Sequence, residues 1–267
     1  MHYLRYLPSP RLRDYIHFFW TLESSAPPTT PFFHWAVASG SSKLVFQYQG
    51  TMELENPSGT SQILKGASIQ AQTQRAFQYV THQAVGLVGV YFHPGALGVL
   101  LGVPAHELTN QHLALSDLLG QVGKDLEETI ILARSSSERI HQLTMFFENR
   151  LATLSSSDLG VLRCIQSITS SKGQLAIQAL VDQHYLSQRQ LERRFKTIAG
   201  FSPKLLSRII RFEHSIHLFM DHPTSLTQTA YAAGYSDQSH FIRDVNEFAG
   251  QPPMTYFRQD WSLFRSE

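Results

Sequence analysis

The sequence predicts an α+β protein, in which a mostly antiparallel β-sheet or small barrel with flanking helices precedes an all-helical region of two similar units joined by a long helix. Three observations predict this class. Short runs rich in β-branched and aromatic residues occupy residues 32–92. Apolar residues recur at helical spacing after residue 95. A segment near the C-terminus is repeated at an offset of 50 residues, so one supersecondary unit is used twice.

The N-terminal half contains the β-rich segment. Residues 9–20 open with Ser9 and Pro10 and place apolar residues at helical spacing, which predicts a short capped helix. Five strands punctuated by Gly or Asn-Pro are then predicted at 32–37, 42–48, 62–69, 75–80 and 85–92. Helices are predicted at 96–101, 115–119, 125–133 and 137–154. The serine run 155–157 is the predicted boundary between domains at 1–152 and 153–267.

The repeat pairs YLSQRQLERRFKTIAGFSP, which starts at Tyr185, with YSDQSHFIRDVNEFAGQPP, which starts at Tyr235. In each copy a helix is predicted whose apolar residues share one side, since residues three and four apart lie on the same face. Ser187 and either Ser236 or Asp237 can cap the two starts. The outward residues are Arg189, Glu192, Arg193 and Lys196 in the first copy and Ser239, Arg243 and Asn246 in the second. Each copy therefore predicts the second helix of a helix-turn-helix.

A long helix is predicted between the two copies. Ser202 and Pro203 suit its first turn, and apolar residues then recur every three or four positions up to Phe219. A helix over 203–220 is roughly 27 Å long at 1.5 Å per residue. This length is close to the ~34 Å between successive major grooves on one face of B-DNA. One chain can therefore place two helices about one turn apart on a duplex.

The charge of the chain is balanced overall but uneven along the sequence. The formal net charge is +1, whereas seven basic residues oppose Glu192 alone between Ser187 and Arg211. A local excess of positive charge on one helical unit favours nucleic acid as a partner.

The second copy carries the pattern A-x-x-x-G-Y-S-D-Q-S-H-F-x-R-x-x-x-x-x-x-G-x-x-P-x-x-Y from Ala230 to Tyr256. Because it contains this pattern, the segment 159–257 resembles the DNA-binding domain of the AraC/XylS family of bacterial transcription regulators. The resemblance implies a cytoplasmic regulator that binds double-stranded promoter DNA through helices at 187–196 and 237–248. It also implies RNA polymerase, a second copy of the chain and an unidentified small-molecule effector as further partners.

The outward faces and the resemblance together predict the DNA contacts. Residues expected to face base edges are Arg189, Glu192, Arg193, Gln238, Ser239, Arg243 and Asn246. Residues expected to neutralise phosphates, and so to position the protein without specifying a sequence, are Lys172, Lys196, Lys204, Arg208 and Arg211.

The N-terminal half resembles an uncharacterised sensor-like domain that precedes such DNA-binding domains. The residues that carry this resemblance are YIHFFW at 15–20, SSKLVFQY at 41–48 and FHPGALGVLLGVPAHEL at 92–108. The resemblance implies that this half binds an effector, pairs two chains, or does both.

An alternative from the residues alone is a small-ligand or metal-binding barrel whose C-terminal helices mediate protein contacts. Thirteen histidines include His34, His82 and His93 near predicted strands, but none has the H-x-H or H-x-x-x-H spacing of a metal motif. The single cysteine, Cys164, excludes an internal disulfide and has no adjacent histidine to activate it as a nucleophile. We therefore predict no enzymatic activity, no metal and no cofactor.

Two further observations bear on location. No apolar run approaches the 18 residues of a membrane-spanning helix. The first ten residues contain two prolines and lack the basic-then-apolar order of a signal peptide. A cytoplasmic protein without a membrane partner is expected.

Overall fold

The computed structural model describes residues 1–55, 59–152, 156–184 and 187–258. The strands in these ranges are β1 (His2–Tyr6), β2 (Ile16–Glu23), β3 (Phe32–Ala36), β4 (Lys43–Glu55), β5 (Ser61–Gln70), β6 (Phe77–Thr81), β7 (Gly86–Phe92) and β8 (His112–Ala114). The helices are α1 (Ala96–Leu101), α2 (Ala105–Leu108), α3 (Leu115–Leu119), α4 (Gln121–Leu132), α5 (Ser136–Leu151), α6 (Ser156–Ser170), α7 (Ile177–His184), α8 (Gln188–Ala199), α9 (Pro203–Asp221), α10 (Leu226–Ala232), α11 (Gln238–Ala249) and α12 (Pro253–Phe257). The predicted α+β class is confirmed.

The strands form one antiparallel sheet in the order β1-β2-β7-β4-β5-β8, with β6 pairing β4 and β3 pairing β6. The long strand β4 pairs β7 along its first half and β6 along its last three residues. Because side chains alternate along a strand, Leu44 and Phe46 of β4 face one side of the sheet and Lys43 and Val45 face the other. Leu44 and Phe46 lie in a core that includes Leu97 of α1 and helices α4 and α5.

The prediction for residues 9–20 was wrong. Residues 10–15 form turns, with the backbone N–H groups of Tyr15 and Ile16 donating to the carbonyl of Leu12, and β2 begins at Ile16. The aromatic and β-branched residues of β2 pair on both sides, with β1 and with β7. The local spacing of this segment also suits a helix, but pairing with the neighbouring strands determines that it is a strand.

The repeat in the sequence is a repeat in the structure. Helices α8 and α11 begin and end at positions 50 residues apart, and their N-cap side chains, Ser187 and Asp237, each accept a backbone N–H. Both end at a glycine in the left-handed region, Gly200 with φ 78° and Gly250 with φ 67°, as a helix C-terminus often requires. Tyr185, at which the first copy of the repeat starts, lies outside the described residues.

Helix α9 joins the two units as predicted and ends one residue later than expected. Its side chains share a core with α8 and α11, in which the rings of Phe212 and Phe248 have centroids 5.5 Å apart. Leu191, Phe195 and Phe241 are fully buried in the same core. The two repeated units are therefore both packed against α9, within one hydrophobic core.

The N-terminal half binds equivalent ends of the two repeated helices. The Trp35 indole N–H donates to the carbonyl of Ala249 at 2.8 Å, at the end of α11. The Thr109 hydroxyl donates to the carbonyl of Gly200 at 3.1 Å, at the end of α8. A side-chain carbon added at Gly40 would lie 2.5 Å from the Leu206 side chain of α9, so the two halves also approach closely there.

Candidate DNA-binding interface

The first polar face lies on α8. Arg189, Glu192, Arg193 and Lys196 are exposed, whereas Leu191 and Phe195 are fully buried on the opposite side. Positions i, i+3, i+4 and i+7 form one stripe along a helix. The buried side anchors α8, and a stripe with three basic residues and one acidic residue faces outward.

The second polar face lies on α11 in the same register. Ser239, Arg243 and Asn246 are exposed, and Phe241 and Val245 are fully buried beneath them. Gln238 is half-buried, and its side-chain oxygen accepts a hydrogen bond from the Thr227 hydroxyl of α10 at 2.9 Å. The structure thus brings the predicted base-facing residues onto two faces, with Gln238 held at the edge of the second.

The N-terminus of α11 is fixed by Asp237. Its carboxylate accepts the backbone N–H of His240 at 2.8 Å, and this hydrogen bond holds the pKa of Asp237 below its usual range. A charged cap at this end also interacts favourably with the helix dipole. The first residues of α11 are therefore held in a defined orientation.

Three of the five predicted phosphate contacts are exposed, and two are engaged within the fold. Lys172, Lys196 and Lys204 are exposed. The Arg211 guanidinium donates to the carbonyl of Gly173 at 2.8 Å and is half-buried. The three lysines are therefore the most accessible of the predicted phosphate contacts.

Arg208 is held by two carboxylates of α11. Its Nη2 atom lies 2.7 Å from an oxygen of Asp244 and 2.6 Å from an oxygen of Glu247. The Asp244 side chain is fully buried, and the Arg208 side chain is 26% exposed. This ion cluster joins α11 to α9 and was not predicted from the sequence. The one sequence feature that indicates it is the position of Asp244, three residues after Phe241, which places an acidic residue on the buried side of α11.

The chain matches two family models. Residues 4–114 match a domain of unknown function, DUF6597, and residues 180–259 match a helix-turn-helix domain. The second range contains both polar faces. The chain is also similar to the HTH-type transcriptional activator RhaS of Escherichia coli strain K12, with 36% identity over 63 residues. Residues 180–259 are a helix-turn-helix domain.

The relatives extend beyond the matched segments. The match to E. coli RhaS covers 24% of this chain and 23% of that protein. A match to RhaS of Salmonella paratyphi A is 25% identical over 175 residues and covers 62% of this chain and 50% of that protein. The chain thus spans at most about half the length of these curated relatives.

Two solved structures are similar at low sequence identity. ToxT from Vibrio cholerae O395 gives a TM-score of 0.48 at 14% identity, covering 90% of this chain and 96% of that one. The AraC-like transcriptional activator CuxR gives a TM-score of 0.31 at 12% identity, covering 90% of this chain and 73% of that one.

In the part of the chain that the structure describes, no three His, Cys, Asp or Glu side chains form a group that could hold a metal ion. Among the described helices, none combines the length and apolar character needed to cross a membrane. Cys164 is buried in the helical core, and burial raises the pKa of its thiol, which disfavours the reactive thiolate.

Proposed function

We propose that the chain is a transcription regulator that binds double-stranded promoter DNA sequence-specifically and reads two adjacent major-groove segments, one with α8 and one with α11. The observation that carries this proposal is the pair of polar faces in the same register, both anchored on α9. Nineteen residues make α9 about 28 Å long, near the ~34 Å rise of one turn of B-DNA. An AraC-type domain with this spacing suits two successive major grooves.

The two faces are proposed to contact base edges. Arginine pairs bidentately with guanine and asparagine with adenine, which are roles for Arg189, Arg193, Arg243 and Asn246. Glu192 suits cytosine, Gln238 suits adenine, and Ser239 suits several bases. Lys172, Lys196 and Lys204 are proposed to neutralise phosphates. For Arg208 and Arg211, phosphate contact stays a prediction, since both already have partners within the protein.

Control is proposed to act through the N-terminal half. The division at 1–152 and 153–267 is retained as a proposal, with the qualification that the halves share hydrogen bonds at Ala249 and Gly200. A change in the sheet can therefore reach the ends of both repeated helices. RNA polymerase and a second copy of the chain stay predictions from the family resemblance.

Selection of bound sequences from a random duplex pool, using the full chain, tests this proposal. We expect an asymmetric site with two contacted blocks about one turn, roughly 10 base pairs, apart, because the two faces carry different residues. A parallel selection with Arg193→Ala and Arg243→Ala combined should not yield the two blocks. A single palindrome with one block in each half would contradict the proposal.

The rival function, a ligand-binding protein whose C-terminal helices only contact proteins, predicts a different response to salt. A DNA-binding protein releases counterions from the duplex, so its affinity for random duplex falls steeply as salt increases. The rival predicts no measurable affinity at any salt concentration. The exposed basic side chains of the α8 face, Arg189, Arg193 and Lys196, favour the first outcome.

A further inference from the structure

A cavity of about 870 Å³ lies between the sheet and the helix-turn-helix domain. It opens on the side of the sheet opposite the core that contains Leu44 and Phe46. Small-molecule sites typically occupy roughly 300–1,000 Å³. The cavity is therefore large enough for a small organic ligand.

The two walls of the cavity come from different halves of the chain. Lys43 and Val45 of β4 lie on the sheet side. Ile210, Glu213 and His217 of α9 lie on the other side, and their spacing of three and four residues places them on one face of that helix. The helix that joins the two DNA-reading units is thus one wall of the cavity.

The cavity contains a cation, Lys43, that forms no salt bridge with the residues that the structure describes. The Lys43 ammonium lies 5.4 Å from the centre of the Tyr91 ring, and burial lowers its pKa to about 8. Among the described residues, none places a carboxylate within 4.0 Å of this ammonium or accepts a hydrogen bond from it. A buried charge is costly unless it is paired, so the site favours an anion.

Glu213 of α9 is the acid whose charge acts on Lys43: it raises the pKa of Lys43, and the Lys43 ammonium in turn lowers the pKa of Glu213. The Ser39 side chain and the Gly40 backbone lower the pKa of Glu213, so its carboxyl group lies at the segment after β3. Burial raises its pKa to about 7, so at neutral pH its negative charge is only partly present. Lys43 therefore retains capacity for an external acid group.

Aromatic side chains form much of the remaining wall. Phe18, Trp20, Trp35 and Tyr91 line the cavity. The Trp20 ring lies against Gly89, where an added side-chain carbon would be 2.3 Å from the ring, so the glycine makes room for it. Flat aromatic surfaces bury apolar or aromatic ligands favourably.

We infer that this cavity binds a small organic anion with an aromatic or similarly apolar body, and that its acid group pairs with Lys43. The regulatory part of the inference rests on the function proposed above. Trp35 lines the cavity and also binds the carbonyl of Ala249 at the end of α11. A ligand that contacts Trp35 and α9 touches elements that position both DNA-reading helices.

Two dyes that share one body test the site in the full chain. 1-Anilinonaphthalene-8-sulfonate carries an acid group, and N-phenyl-1-naphthylamine is its neutral counterpart. We expect Lys43→Met to weaken binding of the sulfonate about tenfold or more and to leave the neutral dye within about twofold, because only the charged pair is lost. Lys65→Met, at an exposed lysine of β5 outside the cavity, is the matched control and should change neither dye.

Two results of the dye titrations would contradict the inference. Unchanged sulfonate binding in Lys43→Met would overturn the assignment of the acid group. Loss of both dyes would show that Lys43 holds the cavity open and does not pair with the ligand, which also contradicts the inference.

The regulatory part is tested by repeating the sulfonate titration with the selected duplex present. Coupling between two binding sites is reciprocal. If a ligand in the cavity changes the affinity for the duplex, the duplex must change the dissociation constant of the dye by the same factor. An unchanged constant would overturn the regulatory part alone. Dye binding is measured without DNA and duplex selection without dye, so failure of the cavity and failure of DNA binding are distinguishable.

Discussion

Replacing Arg193 with alanine is expected to weaken binding to the preferred duplex by ~1–3 kcal/mol, or about 5- to 150-fold, because a bidentate arginine–guanine pair is lost. Arg193 is exposed in the middle of the α8 face, in the unit that also carries most of the positive charge. Competition titrations at two salt concentrations against preferred and random duplexes would measure the change.

The chain offers two controls for this change. Arg194 is exposed on the same helix but about 100° away from Arg193, so Arg194→Ala should have a much smaller effect. Arg243 is the equivalent of Arg193 in α11, where the neighbouring acidic residues Asp244 and Glu247 are paired with Arg208. Arg243→Ala should relax base preference in the second block and leave much of the affinity for random duplex. The opposite pattern would assign the anchoring role to α11.

Replacing Arg208 with methionine is expected to lower the free energy of unfolding by about 3 kcal/mol, since it leaves the carboxylate of Asp244 buried without its cation. The value is at the lower end of the usual range because the Arg208 side chain is 26% exposed. Urea unfolding of the full chain measures it. Lys204→Met, at an exposed lysine of the same helix, should change the stability little.

A second substitution distinguishes the structural role of Arg208 from contact with DNA. Adding Asp244→Leu to Arg208→Met should restore part of the stability, because an apolar pair can replace a buried ion pair. If Arg208→Met unfolds like the parent but loses affinity for random duplex with a smaller salt dependence, Arg208 is a phosphate contact, as the sequence alone suggested.

The sequence predicted the fold best where the signal is local. Strands β3 to β7 and helices α1 and α3 occur where the pattern placed them, because residue type and spacing agree there. Strand β2 was read as a helix, and its pairing with β1 and β7 is not visible from local spacing. The short elements β1, β8 and α2 carry too few residues for a periodic signal.

The candidate DNA-binding interface was likewise predictable only where local sequence determines it. Apolar anchors such as Leu191 and Phe241 fix which sides of α8 and α11 face outward, so the polar faces follow from helical periodicity. The partners of Arg208 are 36 and 39 residues away in the sequence, so only packing of α9 against α11 reveals them. The environment of Lys43 likewise depends on α9 lying across the sheet.

The most direct test of the account compares the affinity of the full chain for the selected duplex with its affinity for the same duplex carrying about half a turn, roughly 5 extra base pairs, between the two blocks. Because α9 holds α8 and α11 in one rigid core, the insertion should turn the second block away from α11. The affinity should then fall to that of a duplex whose second block is scrambled. An affinity unchanged by the insertion would contradict reading of two successive grooves by one chain.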